Sequence, residues 1–135
     1  MDELTVPAHV ASLEAVQAFL EERLERWDCP HKTSMQISLV AEEVFVNIAH
    51  YAYPGTEGNA VIGVQISGQP PVLTLRFADR GIPFDPLARP EADITLSAEE
   101  RPIGGLGIFL TRKIMDEATY AYEEGQNILT LRKKL

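Results

Sequence analysis

The segment AVIGVQISGQPPVLTLRFA (residues 60–78) decides the fold, because it contains two strand-like runs joined by a short turn. Residues 60–67 and 72–78 are rich in β-branched and apolar side chains, as strands are. Gly68 to Pro71, which separates the two runs, is made of typical turn residues. Such a short connection predicts a β-hairpin.

Helical patterns lie before this hairpin, and a second pair of strands is predicted near the end of the chain. Residues 12–26 and 34–51 carry apolar side chains at helical spacing, and Thr33 or Ser34 is expected to cap the second helix. The other predicted elements are an edge strand at residues 2–6, a helix at 107–116, and strands at 118–122 and 127–132. This order indicates an α+β two-layer sandwich, with a mixed, mainly antiparallel sheet and helices on one face. A doubly wound parallel sheet would need helices that alternate with strands, and that alternation is absent.

The length and net charge of the chain indicate how many domains it forms and which classes of partner it can bind. A chain of 135 residues is predicted to form one domain, residues 1–135, with a sizeable core. Its net charge of −8 argues against direct nucleic-acid binding, which requires clustered Lys and Arg. No apolar run reaches the ~18–20 residues of a membrane span, and the start MDELTVPAHV lacks a signal-peptide pattern, so a cytoplasmic protein is expected. The single cysteine, Cys29, cannot form an internal disulfide.

The sequence AEEVFVN (residues 41–47) places polar side chains beside the apolar stripe of the second helix. Glu43, Asn47 and His50 follow i, i+4, i+7 spacing and share one strip, whereas Glu42 is expected to face solvent. The Asn47 oxygen could ligate Mg²⁺, and Glu43 could accept a proton from an attacking hydroxyl. The alternative is a surface pair on an ordinary amphipathic helix, because this spacing also arises by chance. His50 is expected to be a partly buried structural residue.

The sequence FADRGIPFD (residues 77–85) contains the end of the hairpin and the turn that follows it. Asp79 could project its carboxylate into a pocket and accept a hydrogen bond from an adenine amino group. Gly81 would allow a close approach of the backbone or a positive φ, and Arg80 is expected to be solvated. The alternative is a plain Asx turn, in which Asp, Gly and Pro are usual residues.

The sequence GGLGIFLTRKI (residues 104–114) opens a helix with glycines. Gly104, Gly105 and Gly107 would expose backbone N–H groups at the positive end of the helix dipole, where phosphate can bind. The pattern is neither a P-loop nor a Rossmann motif, and the alternative is a flexible loop before a helix. Thr111, one turn into the helix, could reach a phosphate, but it is expected to face solvent. The irregular stretch at residues 80–103, which contains several prolines, is typical of a lid.

The three motifs together resemble those of a known family. E-x-x-x-N, D-x-G-x-[P/G]-F-D and G-G-x-G are similar to the N, G1 and G2 boxes of the GHKL (Bergerat-fold) ATPases, and most similar to those of the small anti-sigma factor serine-protein kinases. The resemblance extends over nearly the whole chain and implies a Bergerat-type sandwich that binds ATP and Mg²⁺. It implies phosphorylation of a serine on a STAS-type anti-anti-sigma partner, and many such proteins also bind a sigma factor. The first helix is a candidate surface for a homodimer or another partner, although its pattern fits core packing equally well.

Carried over residue by residue, the resemblance gives each motif a role. Glu43 would be the general base and Asn47 the Mg²⁺ ligand. Asp79 would contact adenine, and Gly81 would line the adenine pocket. The phosphates would lie under a lid of residues 86–104, against the glycines Gly104, Gly105 and Gly107.

Two positions depart from the family pattern. Pro83 stands where the nucleotide box often has its second glycine, so this position lacks an N–H and has a fixed φ. The family often has a histidine four residues after the asparagine, but here that residue is Tyr51 and the histidine is His50.

Three functions compete for this pattern. An ATP-dependent serine/threonine kinase needs a carboxylate near the metal ligand, and Glu43 supplies one. A nucleotide-gated module that sequesters a sigma factor or another partner, without significant phosphotransfer, would not need Glu43. A histidine-kinase relay is disfavoured because the chain has no helix pair that carries a phospho-acceptor histidine. The kinase is therefore the leading hypothesis.

Overall fold

The computed structural model describes residues 1–88 and 105–135, and of residues 105–107 it describes the backbone alone. Its elements are β1 (Asp2–Pro7), α1 (Leu13–Arg26), α2 (His31–Tyr51), β2 (Asn59–Ser67), β3 (Val72–Asp79), α3 (Gly105–Ile114), β4 (Glu117–Glu123) and β5 (Gln126–Lys134). Short 3₁₀ turns lie before α1 and after β3, at Val10–Ser12 and Pro86–Ala88. Within the described ranges, no helix combines the length and apolar character needed to cross a membrane.

Five strands form one sheet in the order β1-β2-β3-β5-β4, and the neighbouring strands of the described residues all pair antiparallel. β2 and β3 form the predicted hairpin, in which Ile62 lies opposite Phe77. On its other side β3 pairs with β5, so Phe77 also lies opposite Leu129. β1 occupies one edge of the sheet, as predicted, and β4 occupies the other.

The alternation of side chains along the strands gives the sheet one strongly apolar face. This face carries the side chains of Ile62, Val64, Leu75, Phe77 and Leu131, which are almost completely buried. The same core contains the buried stripes of α1 and α2, including Leu20, Leu24, Ile37 and Phe45. On the opposite face, Arg76 of β3 pairs with Glu3 of β1 at 2.8 Å. The helices therefore pack on one face of the sheet, which confirms the predicted α+β sandwich.

The start of α2 differs from the prediction. The helix begins at His31, so the expectation that Thr33 or Ser34 caps it is wrong. Pro30 precedes the helix with φ −55° and ψ 143°, and its carbonyl accepts the Ser34 N–H at 3.0 Å. Proline is favourable here because its φ is already fixed near the helical value and because it lies before the first turn, where no helical hydrogen bond uses its missing N–H. Thr33 and Ser34 consequently lie inside the first turn.

The connection between β3 and α3 is described only in part. The turn after Asp79 and the 3₁₀ turn at Pro86–Ala88 are described, whereas residues 89–104 lie outside the described residues. Most of the expected lid and the phosphate-binding candidate Gly104 belong to that outside segment. α3 begins at Gly105, two residues before the predicted start, and ends at Ile114.

Candidate functional site

A pocket lies between α2 and the apolar face of the sheet, near the end of β3. Most of its wall is apolar and comes from α2, α3, β3 and β5, with Val44, Ile48, Ile108, Phe77 and Leu129 among the lining side chains. Asn47 and Asp79 also line it, so the fold brings together site residues from two separate motifs. The pocket contains about 540 Å³ of empty space, including its opening to solvent. A mostly apolar pocket with a few polar groups is typical of small-molecule sites.

α2 contributes Asn47 to the pocket and Glu43 one turn before it. Both side chains are partly buried, and neither hydrogen-bonds to another side chain within residues 1–88 and 105–135. Glu43 is not among the residues that line the pocket. Glu42 is exposed, as predicted, but His50 is exposed too, so the expectation that it is partly buried is wrong. His50 lies in the last turn of α2, where the helix leaves the core.

Asp79 is the last residue of β3 and is buried. Its Oδ1 accepts hydrogen bonds from the Gly81 N–H and from the Asn127 side-chain amide, both at 2.9 Å. The first of these bonds is the local Asx-turn contact that the sequence allowed as an alternative. No donor within the described part of the chain contacts Oδ2. A carboxylate oxygen at the pocket wall can therefore accept a hydrogen bond from a bound molecule.

Asn127 is a buried residue of β5 that the sequence patterns do not single out. Its Oδ1 accepts the Phe84 N–H at 3.0 Å and the Tyr120 hydroxyl. Its Nδ2 donates to Asp79 and, at 2.8 Å, to the Ile82 carbonyl. Burial raises the pKa of Tyr120, which keeps that hydroxyl protonated and able to donate. The sequence signal that could have identified Asn127 is a polar residue at an inward position of a strand. Its partner Asp79 cannot be known without the strand order.

Gly81 is set against the C-terminal end of α2. A Cβ at this residue would lie 2.1 Å from the Ala52 carbonyl oxygen, and the next residue, Ile82, donates its N–H to the same oxygen at 2.9 Å. Close approach, and not a positive φ, is thus the reason for glycine here. Gly81 is not among the residues that line the pocket, whereas Ile82 and Phe84 are. Pro83, the departure from the family pattern, is exposed between those two.

Tyr53 fixes the other side of the same turn. Its hydroxyl accepts the Arg80 N–H at 2.8 Å and donates to the Asn59 carbonyl at 2.5 Å. Burial raises the pKa of Tyr53, and the backbone hydrogen bond from Arg80 opposes that shift. Arg80 is exposed, as predicted, although its guanidinium reaches the Glu124 carbonyl at 3.4 Å. The turn after Asp79 is therefore held both by α2 and by the residues that precede β2.

α3 packs against α2 and contributes Ile108 to the pocket. Gly105 and Gly107 lie in its first turn, where backbone N–H groups have no partner within the helix. Thr111 is completely buried, so the prediction that it faces solvent is wrong. The reason is its position one turn after Ile108, on the face that packs toward the pocket and α2. Two of the three glycines thus begin a helix that borders the pocket.

Comparison with known proteins identifies a family and several relatives. The family model described as "Histidine kinase-like ATPase domain" matches residues 6–133. Serine-protein kinase RsbW of Listeria monocytogenes is 30% identical over 97 residues, which is 69% of this chain and 61% of the relative. Serine/threonine-protein kinase BtrW of Bordetella bronchiseptica is 29% identical over 108 residues, 79% of this chain and 73% of the relative.

A third relative, serine-protein kinase RsbW of Bacillus cereus, is 24% identical over 131 residues, 94% of this chain and 81% of that protein. The chain spans 61% of the length of the Listeria relatives that it matches. The family match, in contrast, runs from β1 to the last residues of β5 and includes every element that builds the pocket. The chain belongs to the family of histidine kinase-like ATPase domains.

Proposed function

We propose that this chain binds ATP with Mg²⁺ and transfers the terminal phosphoryl group to a serine of a STAS-type anti-anti-sigma protein, in a partner-switching pathway. One observation carries the proposal: Asn47 of α2 and the buried Asp79 of β3 line one apolar pocket. The relatives support it, since those compared above are named as serine- or serine/threonine-protein kinases.

Adenine matches the chemistry of the pocket lining. Apolar side chains such as Val44 and Ile108 offer surfaces for a flat ring, and the Oδ2 atom of Asp79 offers an acceptor for its amino group. Gly81 acts indirectly, because it lets the turn pack closely on Ala52 and so places Ile82 in the pocket wall. The base site therefore combines an apolar wall with one carboxylate acceptor.

Asn47 would hold Mg²⁺ through its side-chain oxygen. Mg²⁺ prefers oxygen ligands and usually keeps phosphate oxygens and water in its shell, so one protein ligand is sufficient. The described residues contain no group of three or more His, Cys, Asp or Glu side chains that could hold a metal by themselves. When bound, the metal would neutralise charge on the phosphates. The phosphates would extend toward the start of α3, where Gly105 and Gly107 offer backbone N–H groups. Gly104, which lies outside the described residues, stays a predicted phosphate contact.

Glu43 would act as the general base. It lies one turn before Asn47 on α2, so a carboxylate would stand near the terminal phosphate and could accept the proton of an attacking serine hydroxyl.

The alternative function, a nucleotide-gated binding module for a sigma factor or another partner, gains support from one observation. Glu43 does not line the pocket, so the pocket alone does not tie this carboxylate to the nucleotide.

Calorimetric titration with ATP and Mg²⁺ tests the nucleotide site. Wild type is expected to bind, and Asn47→Ala is expected to lose most of the Mg²⁺-dependent part of the affinity, because the metal loses its protein ligand. Glu43→Ala is expected to bind as wild type does. If wild type binds no nucleotide, the proposed function fails.

Phosphotransfer to a purified STAS-type protein separates the kinase from the binding module. Glu43→Ala should lower the rate of serine phosphorylation roughly 10²–10⁴-fold at saturating ATP, which is the usual contribution of a general base. Glu42→Ala is the matched control, since that carboxylate is exposed on the same helix. Nucleotide binding without transfer to any serine of the partner would favour the module.

A further inference from the structure

Asn127 joins three segments at the inner end of the pocket. Through its two side-chain polar atoms it contacts the end of β3, the turn after β3 and the neighbouring strand β4. It lies directly opposite Asp79 in the pairing of β5 with β3, and it is itself buried. No motif in the sequence assigns it a role. Among the described residues, however, Asn127 is the one side chain that donates a hydrogen bond to Asp79.

The orientation of the Asn127 amide is determined by its neighbours. The Phe84 N–H can only donate, so the oxygen of the amide must face it. The nitrogen then faces Asp79 Oδ1 and the Ile82 carbonyl oxygen. A carboxylate oxygen and a carbonyl oxygen can each only accept a hydrogen bond. The opposite orientation would place the amide nitrogen against the Phe84 N–H, a second donor, and the amide oxygen against two other acceptors. Asn127 therefore has one satisfied arrangement, and that arrangement aims a donor at Asp79.

This arrangement decides which oxygen of Asp79 is presented to a ligand. Oδ1 already accepts two hydrogen bonds, from Gly81 and from Asn127. Rotation of the carboxylate would break both, so Oδ2 remains the oxygen of this pocket-lining residue that can accept a further hydrogen bond. An acceptor held in one place distinguishes a purine with an amino group at its position 6 from one with a carbonyl there. The carbonyl would oppose the carboxylate with another acceptor.

We propose that Asn127 is a positioning residue that acts through Asp79 and makes the pocket select 6-amino purines over 6-oxo purines. The proposal rests on the proposed ATP site and adds to it the residue that sets base selectivity. Tyr120 has a supporting part, since its hydroxyl occupies the Asn127 oxygen and helps to keep the amide in this orientation.

The test compares the affinities of Mg·ATP and Mg·ITP, whose bases differ at position 6. Wild type is expected to prefer ATP by about 10-fold or more, because a hydrogen bond to a charged group is replaced by a repulsive contact. Asn127→Ala is expected to reduce this preference at least about 5-fold, since Asp79 loses its fixed orientation. The ratio of the two affinities is the readout, because a loss of protein stability alone would weaken the binding of both nucleotides equally.

Asn127→Asp tests the same point with almost no change in the shape of the side chain. It keeps an acceptor for Phe84 and Tyr120 but opposes Asp79 with a second carboxylate; Asp85 is the other charged group near Tyr120. Two adjacent carboxylates tend to share one proton, so a donor between them is regained as pH falls. The preference of this variant for ATP over ITP should therefore be weak at about pH 7.5 and recover toward about pH 5.5, whereas wild type keeps its preference.

Ile62→Val provides a control for stability, because it shortens a buried core side chain at a residue that does not line the pocket. It should keep the wild-type ratio. If Asn127→Ala and Asn127→Asp also keep that ratio at every pH, the inference is wrong and Asn127 is only structural. If wild type binds ATP and ITP equally, Asp79 does not read the base and the inference also fails. If wild type binds neither, the proposed nucleotide site itself fails.

Discussion

Gly81 shows how strongly a single residue constrains the site. A methyl group there would lie 2.1 Å from the Ala52 carbonyl oxygen, and backbone atoms cannot move aside as a flexible side chain can. Gly81→Ala should therefore lower the free energy of unfolding by about 1–3 kcal/mol, the usual range for overpacking. It should also weaken ATP binding, because displacement of the turn moves Ile82 in the pocket wall. Urea unfolding and calorimetric titration measure the two effects.

Gly63→Ala is the matched control for this substitution. Its new Cβ would meet the side chain of Met1, which is flexible, and Gly63 lies in β2 away from the pocket. We expect its free energy of unfolding to change by less than about 1 kcal/mol and its affinity for ATP to stay unchanged. Equal destabilisation by Gly81→Ala and Gly63→Ala would show that contact with Ala52 is not the reason for glycine at residue 81.

The residues of the site differ in how far the sequence can predict them. Asn47 and Asp79 are predictable because each belongs to a local pattern, and the structure places both in one pocket. Asn127 is not, because its importance depends on the pairing of β5 with β3, strands that are separated in the chain by α3 and β4. The predicted exposures of His50 and Thr111 are wrong, since the sequence of one helix shows neither where that helix leaves the core nor where a neighbouring helix packs.

Among the elements, α3 depends on β5 for the end of its last turn. The Lys133 ammonium donates to the Ile114 carbonyl oxygen at 3.0 Å, at the negative end of the helix dipole. Lys133→Ala should therefore lower the free energy of unfolding by about 1 kcal/mol. The loss should be reduced at high salt, which screens the dipole contribution, and urea unfolding at two salt concentrations measures it.

Lys134→Ala is the control for this prediction. Lys134 is exposed, and its hydrogen bond to Asp116 uses the backbone N–H, which alanine keeps. Its unfolding free energy should remain within about 0.5 kcal/mol of wild type. A similar loss in both variants would mean that the positive charge at this end of β5, and not the bond to Ile114, supports α3.

The elements themselves are largely predictable from the sequence, and their boundaries are less so. Alternation predicts β1, and strand-like runs separated by turn residues predict the other four strands. The predicted start of α2 is wrong because Thr33 and Ser34 are good cap residues, whereas the fixed φ of Pro30 determines where the helix begins. A backbone constraint a few residues earlier outweighs local propensity there.

At the scale of the whole molecule, the pocket is a product of the complete fold. Its lining residues run from Val44 to Leu129 and belong to α2, α3 and three of the five strands or the turns beside them. A ligand in this pocket therefore contacts elements that meet only after the sheet has formed. The electrostatic field at the pocket is likewise a property of the whole chain, which carries a net charge of −8.

This net charge predicts an unusual response of nucleotide binding to salt. ATP without Mg²⁺ is a polyanion, so an acidic protein repels it over distances comparable to the Debye length, ~10 Å at 0.1 M salt. Raising NaCl from about 50 mM to about 500 mM should screen this repulsion and strengthen Mg²⁺-free binding roughly 2- to 5-fold. Mg·ATP should change less, because the metal already neutralises part of the charge, and uncharged adenosine should not respond. Calorimetric titrations at both salt concentrations give the three trends, and weaker Mg²⁺-free binding at high salt would mean that local positive groups around the start of α3 outweigh the charge of the molecule.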